Sequence, residues 1–488
     1  MAWPSAIPDD EWEEVAAGIP SKSEPFIAKF VSGREALIRE EKKQRSDYAF
    51  RQSLSPLGKH ADRIVSRIRA HEASTIWNSG LEDILAQKIG GNIYPGMMFS
   101  LAKERMEQTQ LWKIIRKMPK GALLHAHMDA MVDFDYLFGV LLKTKGMHIY
   151  SEKSLDTEEA REGGPVKFRF QKVERVEEKS IWSSELFMRK MMKQLIEDGV
   201  KWIDLRLAFT FRYYKEGHDV PEDTFHEMFR VFGEEIENFK KTDEGKGFWG
   251  CRMIWTGLRI LDTRKMVEDM DACIAIKIAY PHLISGFDLV GQEDAGRPLK
   301  DVLPELFWFK KQCAQEGVDI PFFFHAGETL GDGSDTDENL FDAVLLGTRR
   351  IGHGFSLYKH PLLVDMVKEK KILVETLLAR GVPCSLCNDD PAILGQDTAG
   401  MTHDFWQALQ GWENLGLAGL GSLAENSVRW AAFEDQSNAD WVQGIKDATL
   451  GSGVRAQRMK EWSVEWEQFC LWIVSEFGTD ADEVDEQK

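Results

Sequence analysis

Cysteine is scarce in this chain: Cys251, Cys273, Cys313, Cys384, Cys387 and Cys470 are the only six among 488 residues. That is too few for a disulfide scaffold at this length. Long apolar runs are absent too. None reaches the ~18 residues a membrane-crossing helix requires, so no membrane partner is expected. Positive charge is in deficit, with 61 Lys and Arg against 80 Asp and Glu and a formal charge of −19. An acidic surface repels a polyphosphate, which argues against a nucleic-acid partner. The opening MAWPSAIPDDEWEEVAAG holds no Lys or Arg ahead of an apolar stretch, so no secretory or transit peptide is visible. No Asn-x-Ser/Thr sequon occurs. Together these absences point to a reducing, cytoplasmic home.

What the chain does have is core-forming material. Hydrophobic residues make up 43%, including 28 Phe, 16 Trp and 8 Tyr, which excludes low-complexity disorder. Residues 1–118 read as helices: REALIREEKKQRSDYAF and ADRIVSRIRAHEASTIW space apolar residues by three and four, and Pro56 and Gly58 break them apart. From 119 the pattern changes to short apolar runs that end in polar clusters. They are GALLHAHMD (121–129), VKWIDLRLAF (200–209), CRMIWTGLRI (251–260), LISGFDLVG (283–291), DIPFFFHAGE (319–328), RRIGHG (349–354), KILVE (371–375) and VPCSLCNDD (382–390). Most are separated by amphipathic segments such as TFHEMFRVFGEEIENFKK. Eight such runs alternating with helices predict an α/β fold, a (β/α)8 TIM-type barrel over 119–435 with a helical N-terminal extension. Helices resume from 402, with a C-terminal helical segment at 436–477, and 478–488 reads as a disordered acidic tail. The junction TLLARG between KILVE and VPCSLC is too short for a parallel crossover. Either these two runs are not both strands, or the barrel is broken there.

The chemistry-bearing residues lie at the ends of these runs. His125 and His127 are two apart on a strand and project to one side. His325 precedes Glu328, His353 sits between Gly352 and Gly354, and Asp389 and Asp390 close the last run before Pro391. One buried histidine at a strand end is ordinarily a hydrogen-bonded core residue. Groups at four such ends, in a fold whose active site lies at that edge, suggest convergence on one ion. Three imidazoles and a carboxylate suit zinc. His60, His71 and His403 read as structural or exposed. Pro383-Cys384-x-x-Cys387 invites comparison with the cytidine-type zinc deaminases, which pair H-x-E with P-C-x-x-C. Here the upstream element is His325-Ala-Gly-Glu328, so the cysteine pair reads as structural.

MPKGALLHAHMDA, FHAGET, RRIGHG and CNDDPAILG, with GFDLVGQED and NLGLAGLGSLAENSVRWA, resemble the metal-dependent adenosine/AMP deaminase family, most closely its adenosine deaminase-related growth factor branch. The resemblance covers roughly 119–435. It implies hydrolysis of adenosine, and of 2′-deoxyadenosine, to inosine-type product and ammonia by metal-bound hydroxide attacking C6. It implies Zn2+ held by His125, His127, His325 and Asp389. Glu328 would protonate N1, His353 would act on the water, Asp390 would contact N7, the Gly291 backbone N3, and Asp129 the ribose. The alternatives are an AMP or N6-substituted purine deaminase, another amidohydrolase on the same scaffold, or a catalytically inactive binding protein. Members of this branch are commonly secreted, which sets a secreted location against the cytoplasmic one. The N-terminal helices are a candidate homodimer surface. The family ordinarily continues its seventh strand with a further stretch and a helix, so the shortened junction predicts weaker metal binding.

Overall fold

The structure is a computed structural model that describes residues 20, 23–77, 99–143, 147–151, 166–170, 184–213, 220–374, 381–396, 399–412 and 414–479. Its strands in chain order are β1 (Gly121–Leu123), β2 (Met147–Ser151), β3 (Val166–Phe170), β4 (Val200–Ala208), β5 (Gly250–Leu258), β6 (Ile284–Val290), β7 (His325–Ala326), β8 (Arg350–His353) and β9 (Leu373–Val374). β2 and β3 form an antiparallel hairpin inserted between β1 and β4, which the sequence reading does not anticipate. The other strands pair in parallel, in the orders β1-β4-β5-β6 and β7-β8-β9. Single parallel bridges join the two sheets. Phe287 to Phe322 links β6 to the run that ends in β7, Val374 to Cys384 carries β9 on to the last run, and Ala126 to Asp389 brings that run back beside β1. The eight runs read from the sequence thus follow one another around a path that returns to its start.

Local sequence explains the layers. β4 (VKWIDLRLA) is buried over nearly its whole length, as a parallel strand covered on both faces must be. The helix His226–Lys240 buries Met228, Phe229, Phe232, Ile236 and Phe239, three or four residues apart, in the common core. Four charges from the strands are buried in two pairs: Arg350 Nη1 to Asp204 Oδ2 at 2.7 Å and Arg206 Nε to Asp288 Oδ2 at 2.8 Å. Charges so deep are tolerable only when paired and hydrogen-bonded.

In the N-terminal region the described helices are Pro25–Lys43, Tyr48–Ser53, Pro56–Thr75, Phe99–Met106 and Gln110–Lys117. Pro56 does separate two helices, but Gly58 corrects the reading. Pro56 occupies the first helical turn, where a missing N–H costs nothing, and Ser55 Oγ caps the Gly58 N–H at 3.0 Å, so Gly58 lies inside the helix. Toward the C-terminus come Gly400–Gly411, Gly416–Arg429, Asn438–Asp447 and Val454–Phe477, the last pair separated at Ala448–Leu450. The helix Pro56–Thr75 is tied to Val454–Phe477 by Ser55 Oγ to Glu467 Oε2 (2.8 Å) and Arg67 Nη2 to Phe477 O (2.8 Å).

At the short junction, residues 375–380 lie outside the described residues. On either side, Val374 N donates to Pro383 O at 3.0 Å and Val374 bridges Cys384 in parallel. Both runs therefore occupy neighbouring places on the path, although β9 is two residues long and the last run holds its place by the bridges at Cys384 and Asp389. Of the acidic tail, 480–488 likewise lie outside the described residues. None of the six cysteines is in a disulfide, and five of them are buried. Among the described residues no helix is long and apolar enough to cross a membrane.

Candidate metal centre

One atom each from His125, His127, His325 and Asp389 lies within 4.8 Å of the other three. Donors in a tetrahedral zinc shell at about 2.1 Å stand about 3.4 Å apart. Asp389 Oδ1 is 3.2 Å from His125 Nε2 and 3.1 Å from His127 Nε2, so both imidazoles turn the same nitrogen toward one carboxylate oxygen. Among the described residues this is the one group with metal-ligand geometry, and neither Cys384 nor Cys387 belongs to it. Cys384 is buried, and burial pushes its thiol up to about 12, in keeping with a structural role.

The backbone explains why these side chains meet. β1 runs on past Leu123, with Arg206 N donating to Ala126 O (2.9 Å) and His127 N to Asp389 O (3.0 Å). Arg206 Nη1 holds the Leu124 carbonyl at 2.8 Å, just before His125. His325 ends its run with its backbone N bonded to Asp288 Oδ1 (2.8 Å) and its ring Nδ1 to Asp288 Oδ2 (2.7 Å). With Nδ1 engaged by a carboxylate, Nε2 is the nitrogen left for a metal. Gly352 is required for space: a Cβ there would stand 2.8 Å from His125 Cε1. His353 (φ 65°) and Asp389 (φ 50°) both adopt left-handed backbone, a cost that persists only where the surroundings impose it, commonly at working sites.

Charge follows the same geometry. Burial raises the Asp389 carboxyl, but hydrogen bonds to His125 and His127 and the nearby His353 outweigh it, holding the group far below the usual carboxylate range. Burial drives the His325 imidazole well below its ordinary value against the pull of Asp288, so it is a neutral donor. The Glu328 carboxyl moves the other way: burial and then the Asp389 carboxylate raise it. Asp390 is raised by burial, then by Asp389.

Of the remaining sequence candidates, His353 lies against the cluster. His353 Nε2 lies 3.6 Å from Glu328 Oε2 and 4.0 Å from Asp389 Oδ2. Asp390 adjoins Asp389 and is half-buried, while Asp129 and Gly291 are exposed at the ends of the β1 and β6 runs, outside the four-donor group. His403 is a buried structural residue, bonded through Nδ1 to Ala399 O at 3.0 Å. The sequence reading gave no role to Asp288, Arg206, Arg259 or Glu293. Asp288 and Glu293 lie within GFDLVGQED, where a carboxylate amid an apolar strand was the available signal.

No family model matches the chain. Curated proteins do. Adenosine deaminase 2-A of Danio rerio is 28% identical over 435 residues, 73% of this chain and 84% of that protein. Adenosine deaminase 2 of Dictyostelium discoideum is 25% identical over 535 aligned positions, 95% of this chain and 91% of that protein. Among solved structures, an amidohydrolase from Burkhoderia ambifaria with bound zinc superposes with a TM-score of 0.49 at 16% identity, covering 74% of this chain and 96% of that one.

Proposed function

We propose that this chain, a relative of the adenosine deaminase 2 proteins over most of its length, is a zinc-dependent hydrolase that deaminates adenosine and 2′-deoxyadenosine to the inosine-type nucleoside and ammonia. The observation that carries the reading is the convergence of His125, His127, His325 and Asp389 from separate strand ends. The closed parallel path is read as a (β/α)8 barrel, with these ends on the face where such barrels work.

The donor set fits zinc: three imidazoles, one of them oriented by Asp288, and a carboxylate that stays ionised. A zinc ion bound there supplies Lewis acidity that makes water nucleophilic near neutral pH. The chain's own groups do the rest. Glu328, whose carboxyl is raised by burial and by Asp389, holds a proton and gives it to N1, which makes C6 electrophilic. His353, between Glu328 and Asp389, orients the attacking water and accepts its proton. Water adds at C6; the Glu328 carboxylate then takes the proton of the new hydroxyl, His353 returns its proton to the amino group, and collapse of the tetrahedral carbon to the 6-oxo product expels ammonia. Asp390 contacts N7, the Gly291 N–H contacts N3 and Asp129 the ribose. Phe26, Phe30 and Leu37, exposed on the helix Pro25–Lys43, support an N-terminal homodimer surface.

The test is loss of adenine-band absorbance with adenosine, 2′-deoxyadenosine and AMP, with and without chelator, on protein of measured zinc content. Turnover of the nucleosides that stops with chelator is expected. A full zinc equivalent with none of the three consumed would refute it.

A further inference from the structure

Two loops beside the candidate metal centre are tied to each other through Glu293, which also forms a buried ion pair with Arg259. Glu293 (2% exposed) accepts the Glu328 backbone N–H through Oε2 at 2.7 Å. Its other oxygen accepts from Arg259 Nη2 at 3.2 Å and Asn339 Nδ2 at 3.4 Å. Arg259 (1% exposed) also donates from Nη2 to the His325 carbonyl at 2.6 Å. One residue along each loop the tie repeats: Thr329 Oγ1 donates to Asp294 Oδ1 at 2.7 Å. Between the two anchored ends, Gly327 (φ 78°) makes the turn.

We infer that Glu293 is a positioning residue that fixes the distance between the Gly291 N–H and the Glu328 carboxyl, and so the register of the purine's N1–C2–N3 edge. The inference rests on the deaminase reading for those two contacts. Its physical basis is the chain of bonds itself. Gly291 lies two residues before Glu293, and Glu293 holds the backbone of Glu328. A buried ion pair is a poor way to gain stability, since well-packed apolar residues usually serve as well. It is a good way to hold specific backbone atoms, and the atoms held here belong to a metal-donor residue, His325, and a proton-donor residue, Glu328. Arg259 acts on the first of these and Glu293 on the second, so the whole His325–Glu328 turn is set from the β5 and β6 side.

The test crosses a protein change with a ligand-atom change, using binding as the readout. Calorimetry gives the affinities of inosine and of 3-deazainosine, which lacks N3, for the zinc-loaded wild type, Glu293→Ala and Glu293→Gln. In the wild type inosine binds more tightly. In Glu293→Ala that preference is expected to fall at least threefold, with the zinc equivalent retained and kcat for adenosine down at least tenfold. Glu293→Gln, which keeps an acceptor for the Glu328 N–H, should recover most of the preference. It also serves as the working variant if the alanine protein does not fold. A merely structural role weakens both ligands by the same factor, and that result, or an unchanged preference in both variants, overturns the inference. A zinc-loaded wild type that binds neither ligand and consumes no nucleoside overturns the deaminase reading, and this inference falls with it.

Discussion

The parallel path has two unlike halves. β4, β5 and β6 are nine, nine and seven residues long, buried almost throughout. β7, β8 and β9 are two, four and two residues long, and the last run holds on by single bridges. None of the four candidate metal-donor residues comes from β4, β5 or β6: His125 and His127 follow β1, and His325 and Asp389 come from the short half, along with His353. The long half contributes instead the side chains that reach across: Arg206, Asp288, Arg259 and Glu293. The short strands end where the backbone must leave extended geometry to present a side chain, at Gly327, His353 and Asp389, all with positive φ. Regular pairing gives rigidity, and irregular ends give chemistry. The arrangement works only because the first is wired to the second by buried hydrogen bonds.

The sharpest way to separate the halves is to remove chemistry from the short one without touching structure. Glu328→Gln keeps the backbone bond to Glu293 and the side-chain volume. It should lower kcat by about 10²–10⁴-fold, the usual worth of a general acid, with zinc content and melting temperature unchanged. An equal loss of zinc would show that Glu328 supports the metal instead.

The wiring itself comes next. Asp288→Ala leaves the His325 Nδ1 and backbone N–H without their carboxylate. Zinc affinity, read by competition with a chromophoric chelator, should fall about 10–100-fold. An unchanged affinity would mean that the two halves are mechanically independent.

A smaller effect belongs to the long half alone. Asp269, on the helix Thr263–Ala279, accepts from Trp255 Nε1 of β5 at 3.0 Å, and burial pushes its carboxyl up to about 7. The native state therefore binds this proton more tightly than the unfolded chain. The resulting penalty is absent below the unfolded value near 4, grows as pH rises, and is complete above about 7. Asp269→Asn removes the penalty while keeping the acceptor for Trp255. Its melting temperature should exceed that of the wild type by several degrees at pH 8 and match it near pH 4, with zinc affinity unaffected. A gain at both pH values would place the effect elsewhere.

The same contrast governs how much the sequence disclosed. The long strands were legible because VKWIDLRLAF, CRMIWTGLRI and LISGFDLVG are continuous apolar runs, and His125, His127, His325 and Asp389 were legible because each closes such a run beside polar residues. The β2–β3 pair was not, because MHIYS and VKFRF are five-residue segments whose apolar residues are interrupted by polar ones and form no continuous run. Gly58 misled because a glycine reads as a helix breaker, while its place just after a capped Pro56 gives it a tolerated position in the first turn. Asp288 and Glu293 carried only the weak signal of a carboxylate in or just after an apolar run, and Arg259 carried none. A charged residue within a strand looks the same whether it faces solvent or is paired across the interior, and the partners here are 37, 66 and 35 positions away along the chain.

The smallest expected effect tests where the short half is fastened. Gly381 (φ 69°) stands just before the last run, and a Cβ there would collide with the Gln44 carbonyl oxygen in the turn before the helix Tyr48–Ser53. Gly317 (φ 70°), after the helix Leu299–Gln315, has the same backbone but open space around it. Alanine at either position carries the same left-handed strain, about 1–2 kcal/mol. Only Gly381→Ala adds a collision, and it does so eight residues before Asp389. Both variants should therefore melt slightly lower than the wild type, and Gly381→Ala alone should lose a few-fold in zinc affinity. If Gly317→Ala loses as much, the strain is felt globally. If neither does, the N-terminal helices do not help to hold Asp389 in place, and the short half owes its geometry to the long half alone.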